Sequence, residues 1–268
     1  MKTTAQRWYI KFLQWKTQYL THRQFILLLC VLVGVATGFA ALAMRSLTHF
    51  IEEVLVGNII RYINYGFYVV FPAVGFLLVY LVKKYVIRKE VSHGIPSILY
   101  AVAKQKGIMK RFQAYGSLLT APITIGFGGS VGLEGPMVVT GAGISSQIAR
   151  LFHINQSDRM LLLACACAAA LAAIFKVPLA GILFAIEVFG LDLTLWSLLP
   201  LFVASLSGVL ISYLFFGNAA LLPIQVSGSF LMRNIPFYLL LGVVGGFMSV
   251  DKVLFKEPIH VGLLYLCL

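Results

Sequence analysis

The residue of this 268-residue chain whose type and setting point most directly to chemistry is Glu134. It is the only charged residue in the glycine-rich stretch 112–149. A carboxylate at membrane depth costs about 2.5–3.5 kcal/mol on insertion scales, so it should face protein or water rather than lipid. Gly135 lets another group approach the backbone, and Pro136 suits the first turn of a helix, where its missing N–H is no loss.

Two other segments predict the same kind of helix start. Residues 93–96 precede one apolar segment, and Val177 and Pro178 precede another. Free N–H groups at a helix start, together with the positive end of the helix dipole, bind anions. Three such starts converging in a membrane would hold a small anion without a buried lysine. Glu134 would then be a tethered anion that competes for this site, and a structural capping carboxylate is the alternative.

The elements that must position these residues are membrane helices. Hydrophobic residues make up 60% of the chain and charged residues 11%, against about 45–50% and 25% in soluble domains. This excludes a soluble domain and predicts an all-α polytopic membrane protein, with short, tilted and broken helices where glycine and proline interrupt the apolar runs.

Uncharged runs long enough to cross a bilayer locate the predicted spans. Residues 24–44 and 62–82 form the first two, 193–232 is interpreted as two spans divided near Gly217, and 235–250 is a final, shorter apolar run. The charged residues between the first two runs, which have no net charge, are assigned to an external loop: Arg45, Glu52, Glu53 and Arg61.

The formal net charge of +12 is confined to two segments. Residues 1–23 carry five basic residues and no acid, and residues 83–111 carry eight basic residues and one acid. Basic segments beside apolar runs are typical of cytoplasmic loops, so the N-terminus is predicted to be cytoplasmic. A plasma or inner membrane is expected, and no nucleic-acid surface, because no exposed fold is there to carry one.

Other chemistries find no support in the sequence. Cys165 and Cys167 point to different helix faces and make a poor metal pair, so no metal site is predicted. No catalytic motif is present, so the protein is not expected to be an enzyme or to need a cofactor.

Three segments resemble the CLC family of chloride channels and proton/chloride exchangers. Residues 132–136 are similar to its G-[KR]-E-G-P motif apart from Leu133, residues 93–96 resemble the end of its G-S-G-I-P motif, and residues 164–187 resemble the alanine-rich helix pair that follows. The resemblance implies the first inverted repeat of a CLC-like fold, in which Glu134 is the external gating glutamate. It also implies these anion-path residues: His93, Gly94, Ile95, Pro96, Gly132, Leu133, Gly135 and Pro136.

Two departures from the family pattern affect the expected function. His93 stands where the family commonly has serine, and it is either an N–H donor to the anion or only a cap. Exchangers of the family usually carry a second acid after the position of Glu187, where this chain has Val188. The sequence therefore favours voltage- or pH-gated passive transport of chloride or a similar anion. The alternatives are a proton-coupled chloride antiporter and a non-conducting remnant or membrane interaction module.

The resemblance covers about half of a CLC subunit, because the G-x-F-x-P motif of the second half does not occur. The chain is therefore expected to be a truncated or frame-shifted product. Its predicted segments are a cytoplasmic N-terminal segment (1–23), a transmembrane anion-transport domain (24–250) and a hydrophobic tail (251–268). The resemblance implies a homodimer for a full-length protein, in contact with membrane lipid.

Overall fold

The computed structural model describes residues 21–55, 70–88, 94–129, 132–192, 194–217 and 232–247, and the regular elements of these residues are all helical. A π-helical turn, Lys83–Ile87, continues the helix Val70–Val82, and a 3-10 turn, Met232–Asn234, precedes the helix Ile235–Phe247. The nine helices of the described residues are α1 (His22–Val54), α2 (Val70–Val82), α3 (Ile95–Lys104), α4 (Arg111–Gly126), α5 (Glu134–Leu151), α6 (Gln156–Phe175), α7 (Pro178–Phe189), α8 (Leu195–Phe216) and α9 (Ile235–Phe247). The predicted all-α fold is confirmed.

Local sequence explains where several helices begin and end. Thr21 precedes α1 and its backbone N–H donates to Gln24 Oε1 over 3.1 Å, which satisfies a donor that the helix leaves unpaired. Proline occupies the first turn of α3 and of α7, where no intrahelical N–H bond is lost. Gly190 ends α7 in the left-handed region, at φ 57°.

Among the helices that the structure describes, three are long and apolar enough to cross a membrane: α1, α6 and α8. The end of α8 at Phe216 agrees with the predicted division near Gly217. The first span was predicted to end before Arg45, but α1 continues to Val54 and carries Arg45, Glu52 and Glu53 within the helix. The loop assignment of these three residues was therefore wrong, since Arg45 is buried against α8 rather than solvated in a loop.

The alanine-rich helix α6 lies at the centre of the bundle, with α1, α5, α7 and α8 packed around it. Every residue from Leu162 to Ile174 is buried. Its neighbours present glycine to it: a Cβ on Gly181 of α7 would overlap the Ala168 carbonyl oxygen, and one on Gly208 of α8 would lie 2.9 Å from that of Ala169. Small residues on both sides allow the close backbone approach that drives helix association in membranes.

The chain divides into two compact units, residues 1–221 and residues 222–268. In the second unit the structure describes the short turn and α9, which begins where the predicted final apolar run begins. The predicted segment 1–20 and tail 251–268 lie outside the described residues. The domain boundaries drawn from the sequence stay a prediction.

Candidate functional site

The starts of α3 and α5 lie against each other inside the first unit. A Cβ placed on Gly135, the second residue of α5, would lie 3.8 Å from the Cα of Gly94, the residue that precedes α3. The backbones of the two helix starts are therefore close neighbours, with room for a methyl group between Gly135 and Gly94. The structure therefore brings together two of the three helix starts that the sequence predicted.

Gly94 gives the first of these starts its shape. Its φ of 81° and ψ of −178° are rare for residues with a Cβ, so glycine is required at this turn. The Ser97 hydroxyl donates to the Gly94 carbonyl oxygen over 2.8 Å, and Pro96 has no N–H to offer. The Ser97 N–H donates to the same carbonyl oxygen over 3.3 Å, so the Ile95 N–H is the group of this first turn that has no acceptor among the described residues and is available to an anion.

Glu134 is the first residue of the second start. Its carboxylate turns back over Gly132 so closely that a Cβ at that glycine would overlap Oε2. The side chain is exposed, and its carboxylate accepts no hydrogen bond from the described part of the chain. The carboxylate therefore lies at the positive end of its own helix without the fixed bonds of a capping group.

The other predicted site residues differ in exposure. Pro96 and Gly132 are exposed, whereas Ile95, Leu133 and Pro136 are half-buried. The side of the two helix starts that carries Glu134 is thus accessible rather than sealed in the core. His93 lies outside the described residues.

The third predicted start is placed against other elements. α7 begins at Pro178 and packs on α6 and α8. It is preceded by Lys176, whose ammonium donates to the Gly217 carbonyl oxygen and lies 4.8 Å from the centroid of the Tyr213 ring. At the far end of α7, Glu187 is exposed and Val188 is half-buried.

Two cations near the site were not singled out from the sequence. Arg45 is buried, lies 4.5 Å from the centroid of the Phe216 ring, and shares with Leu133 the lining of a cavity of about 10 Å³. Partial burial, and then repulsion from Arg45, lower the pKa of Lys176 in the connection between α6 and α7. Arg45 therefore lies close to the residue that precedes Glu134, and Lys176 lies near enough to Arg45 for the two charges to repel each other. In the sequence, the only sign of Arg45 and Lys176 was that each of them interrupts an apolar run.

Comparison with known proteins identifies the family. The family model described as voltage gated chloride channel matches residues 74–255, more than half of the chain. The chain therefore belongs to the CLC family, which confirms the resemblance carried by the motifs.

Curated relatives agree with this assignment. The chain is 27% identical over 230 residues to the "H(+)/Cl(-) exchange transporter ClcA" of Citrobacter koseri, covering 82% of this chain and 48% of that protein. It is 26% identical over the same length to the protein of that name from Salmonella arizonae. The chain thus spans about half the length of the curated relatives it matches.

Solved structures support the CLC-like fold. A slow cyanobacterial Cl⁻/H⁺ antiporter superposes with a TM-score of 0.68 at 20% identity, covering 88% of this chain and 57% of that one. A CLC-type fluoride/proton antiporter gives 0.65 at 21% identity, covering 85% and 56%. A eukaryotic CLC transporter gives 0.59 at 25% identity, covering 70% and 38%. The protein is an integral membrane protein of polytopic, helical, CLC-like fold.

Proposed function

We propose that this chain carries the anion site of a CLC transporter that exchanges protons for chloride or a similar small anion. The observation that carries the proposal is the contact between the starts of α3 and α5 beside Glu134. The positive dipole ends of the two helices therefore lie side by side, and together they attract an anion electrostatically. Neutral donors of this kind bind an ion without holding it too tightly to leave.

Glu134 supplies the proton coupling in this proposal. While ionised, its carboxylate is a tethered anion that competes with the transported ion for the helix starts. Once protonated, it loses its attraction to the positive helix end and frees the site. A proton bound at Glu134 and an anion bound at the helix starts thus become alternative occupants of one pathway.

As the function of this protein we prefer a proton-coupled antiporter to the passive channel that Val188 favours. The curated relatives are named exchange transporters, and two of the similar structures are described as proton antiporters. Glu187 is exposed at the end of α7, so in this proposal it carries the proton without a second acid beside it. We further propose a homodimer with its basic segments, including the N-terminus, on the cytoplasmic side of a plasma or inner membrane.

Chloride binding to the purified 268-residue chain tests the site. Titration calorimetry should give saturable binding that strengthens as the pH falls from about 8 to 4, because protonation removes the competing carboxylate. Glu134→Gln keeps the size of the side chain and removes its charge. It should raise the apparent affinity about tenfold, as expected if the carboxylate occupies about 90% of sites, and abolish the pH dependence. Glu53→Gln, which alters an exposed carboxylate at the end of α1, is the matched control.

Other results of these binding and stability measurements would support a different role for Glu134 or for the chain. If Glu134→Gln lowers the unfolding temperature and leaves the pH profile of binding as in the parent, the residue is a structural cap. If the parent binds no anion, the chain is a non-conducting remnant or interaction module. Where liposomes containing the chain release chloride, a dye for internal pH separates exchange, which moves protons, from a passive channel, which does not.

A further inference from the structure

A second cationic site lies at the end of the bundle where α4 begins and α5 ends. Three arginines and a histidine, each from a different element, line one open cavity of about 930 Å³: Arg111, Arg150, His153 and Arg159. No carboxylate is among the described residues that line this cavity. Guanidinium groups from several elements around one concave space match the oxygens of a phosphate group.

Neutral groups hold two of these arginines in place. Arg111 Nε donates to Gln147 Oε1 over 3.1 Å, and Arg159 donates to the carbonyl oxygens of Lys106 (3.3 Å) and Ile154 (2.9 Å). Carbonyl and amide oxygens orient a guanidinium group without cancelling its charge. The cavity is thus built from positioned side chains whose charge is not neutralised by these partners.

The residues around the cavity reinforce its positive charge. Lys104, Lys106 and Lys110 are exposed on the neighbouring connection between α3 and α4. The nearest acid in sequence, Asp158, is engaged with His22 Nε2 over 3.0 Å. Among the described residues that line the cavity, an anion would therefore meet cationic side chains and no carboxylate.

Apolar surface beside the arginines indicates what kind of anion fits. Ile148 and Leu151 line the same cavity, and Leu151 is 64% exposed. The cavity lies beside the first turn of α6, a helix long enough to cross the bilayer, so it should lie at head-group level. A soluble phosphate would leave Leu151 in water, whereas a phospholipid satisfies the arginines with its phosphate and Leu151 with an acyl chain.

We propose that this cavity binds the phosphate head group of an anionic phospholipid. The proposal is independent of anion transport, since it uses none of the residues at the helix starts. It differs from the general excess of basic residues on one side of membrane proteins, because it requires these arginines rather than any of equal charge.

The test titrates the purified 268-residue chain, in neutral detergent, with short-chain phosphatidylglycerol and follows bound lipid by native mass spectrometry. The parent should bind it saturably, and phosphatidylcholine of the same chain length at least tenfold more weakly. The double substitution Arg111→Gln, Arg150→Gln should reduce the affinity for phosphatidylglycerol by about tenfold or more, since each basic residue near a lipid surface is worth about fivefold. Lys83→Gln, Lys84→Gln removes the same charge from the turn after α2, outside the cavity, and should change the affinity less than twofold.

Three results would overturn the proposal. Equal losses in the two double variants would mean that overall charge, not the cavity, attracts the lipid. Equal binding of phosphatidylcholine would mean that no anion is recognised. Inorganic phosphate that binds as tightly as phosphatidylglycerol would mean a site for a soluble phosphate. Unchanged unfolding temperatures and circular dichroism show that the variants remain folded.

Discussion

The packing around α6 and the adjacent starts of α3 and α5 both depend on small residues, but the first region is buried and the second is accessible. Around α6, glycine and alanine bring helix backbones together, and every residue from Leu162 to Ile174 is buried. At Gly94 and Gly135 the backbones are also close, but there is room for a methyl group between them, the carboxylate beside them is exposed and the helix ends carry unpaired N–H groups. Close packing therefore serves stability in the first region and leaves polar groups available in the second.

The largest expected effect comes from adding one methyl group to the first region. In Gly181→Ala the new Cβ overlaps the backbone carbonyl of Ala168, which cannot move aside as a flexible side chain can. We expect the free energy of unfolding to fall by about 2–3 kcal/mol, in the range for overpacking. Gly242→Ala on α9 is the matched control, because a Cβ there meets nothing within 4 Å. Unfolding in detergent measures both, and equal stabilities would contradict the close packing of α6.

The same substitution in the second region should act on binding instead. In Gly135→Ala the new Cβ lies 3.8 Å from the Gly94 Cα, an ordinary van der Waals contact, so the fold should be kept. Because the methyl group enters the space between the helix starts, we expect chloride affinity to fall about tenfold, equivalent to about 1.4 kcal/mol. Calorimetric titration and the unfolding temperature, measured together, check this. A loss of stability with unchanged affinity would make this contact structural rather than functional.

How much of each region can be predicted from the sequence depends on whether neighbouring residues or residues far apart in the chain determine it. Proline and glycine at residues 94–96, 135–136 and 178 place helix starts correctly, because capping depends on neighbouring residues only. Uncharged runs likewise predict α1 and α8. The sequence did not reveal that Arg45 lies inside α1, because its stacking on Phe216 joins residues far apart in the chain. The closeness of Gly94 and Gly135 depends on the same kind of long-range packing. So does the position of the start of α7, which packs on α6 and α8.

Lys176 provides the smallest expected effect and connects the two regions, since it follows α6 and lies beside Arg45, which shares a cavity with Leu133. Lys176→Gln removes the charge and keeps an amide that can donate to the Gly217 carbonyl oxygen. Loss of one partly solvated charge should weaken chloride binding about two- to fivefold at low salt. Lys110→Gln, at an exposed position before α4, is the control and should leave chloride affinity unchanged.

The stability of the Lys176→Gln variant should change in the opposite direction to its affinity. Burial and Arg45 lower the pKa of Lys176 in the folded protein, so the folded state binds this proton less tightly than the unfolded state does. The charged lysine therefore costs stability at neutral pH, and this cost disappears as the pH rises through the lowered pKa to above the unfolded value of about 10.4. The variant should unfold at a higher temperature than the parent at pH 7 and at the same temperature above about pH 10.5. Chloride should narrow the gap at pH 7, because a bound anion offsets the repulsion between Lys176 and Arg45. A gap that is independent of both pH and chloride would show that the two cations do not act together on an anion.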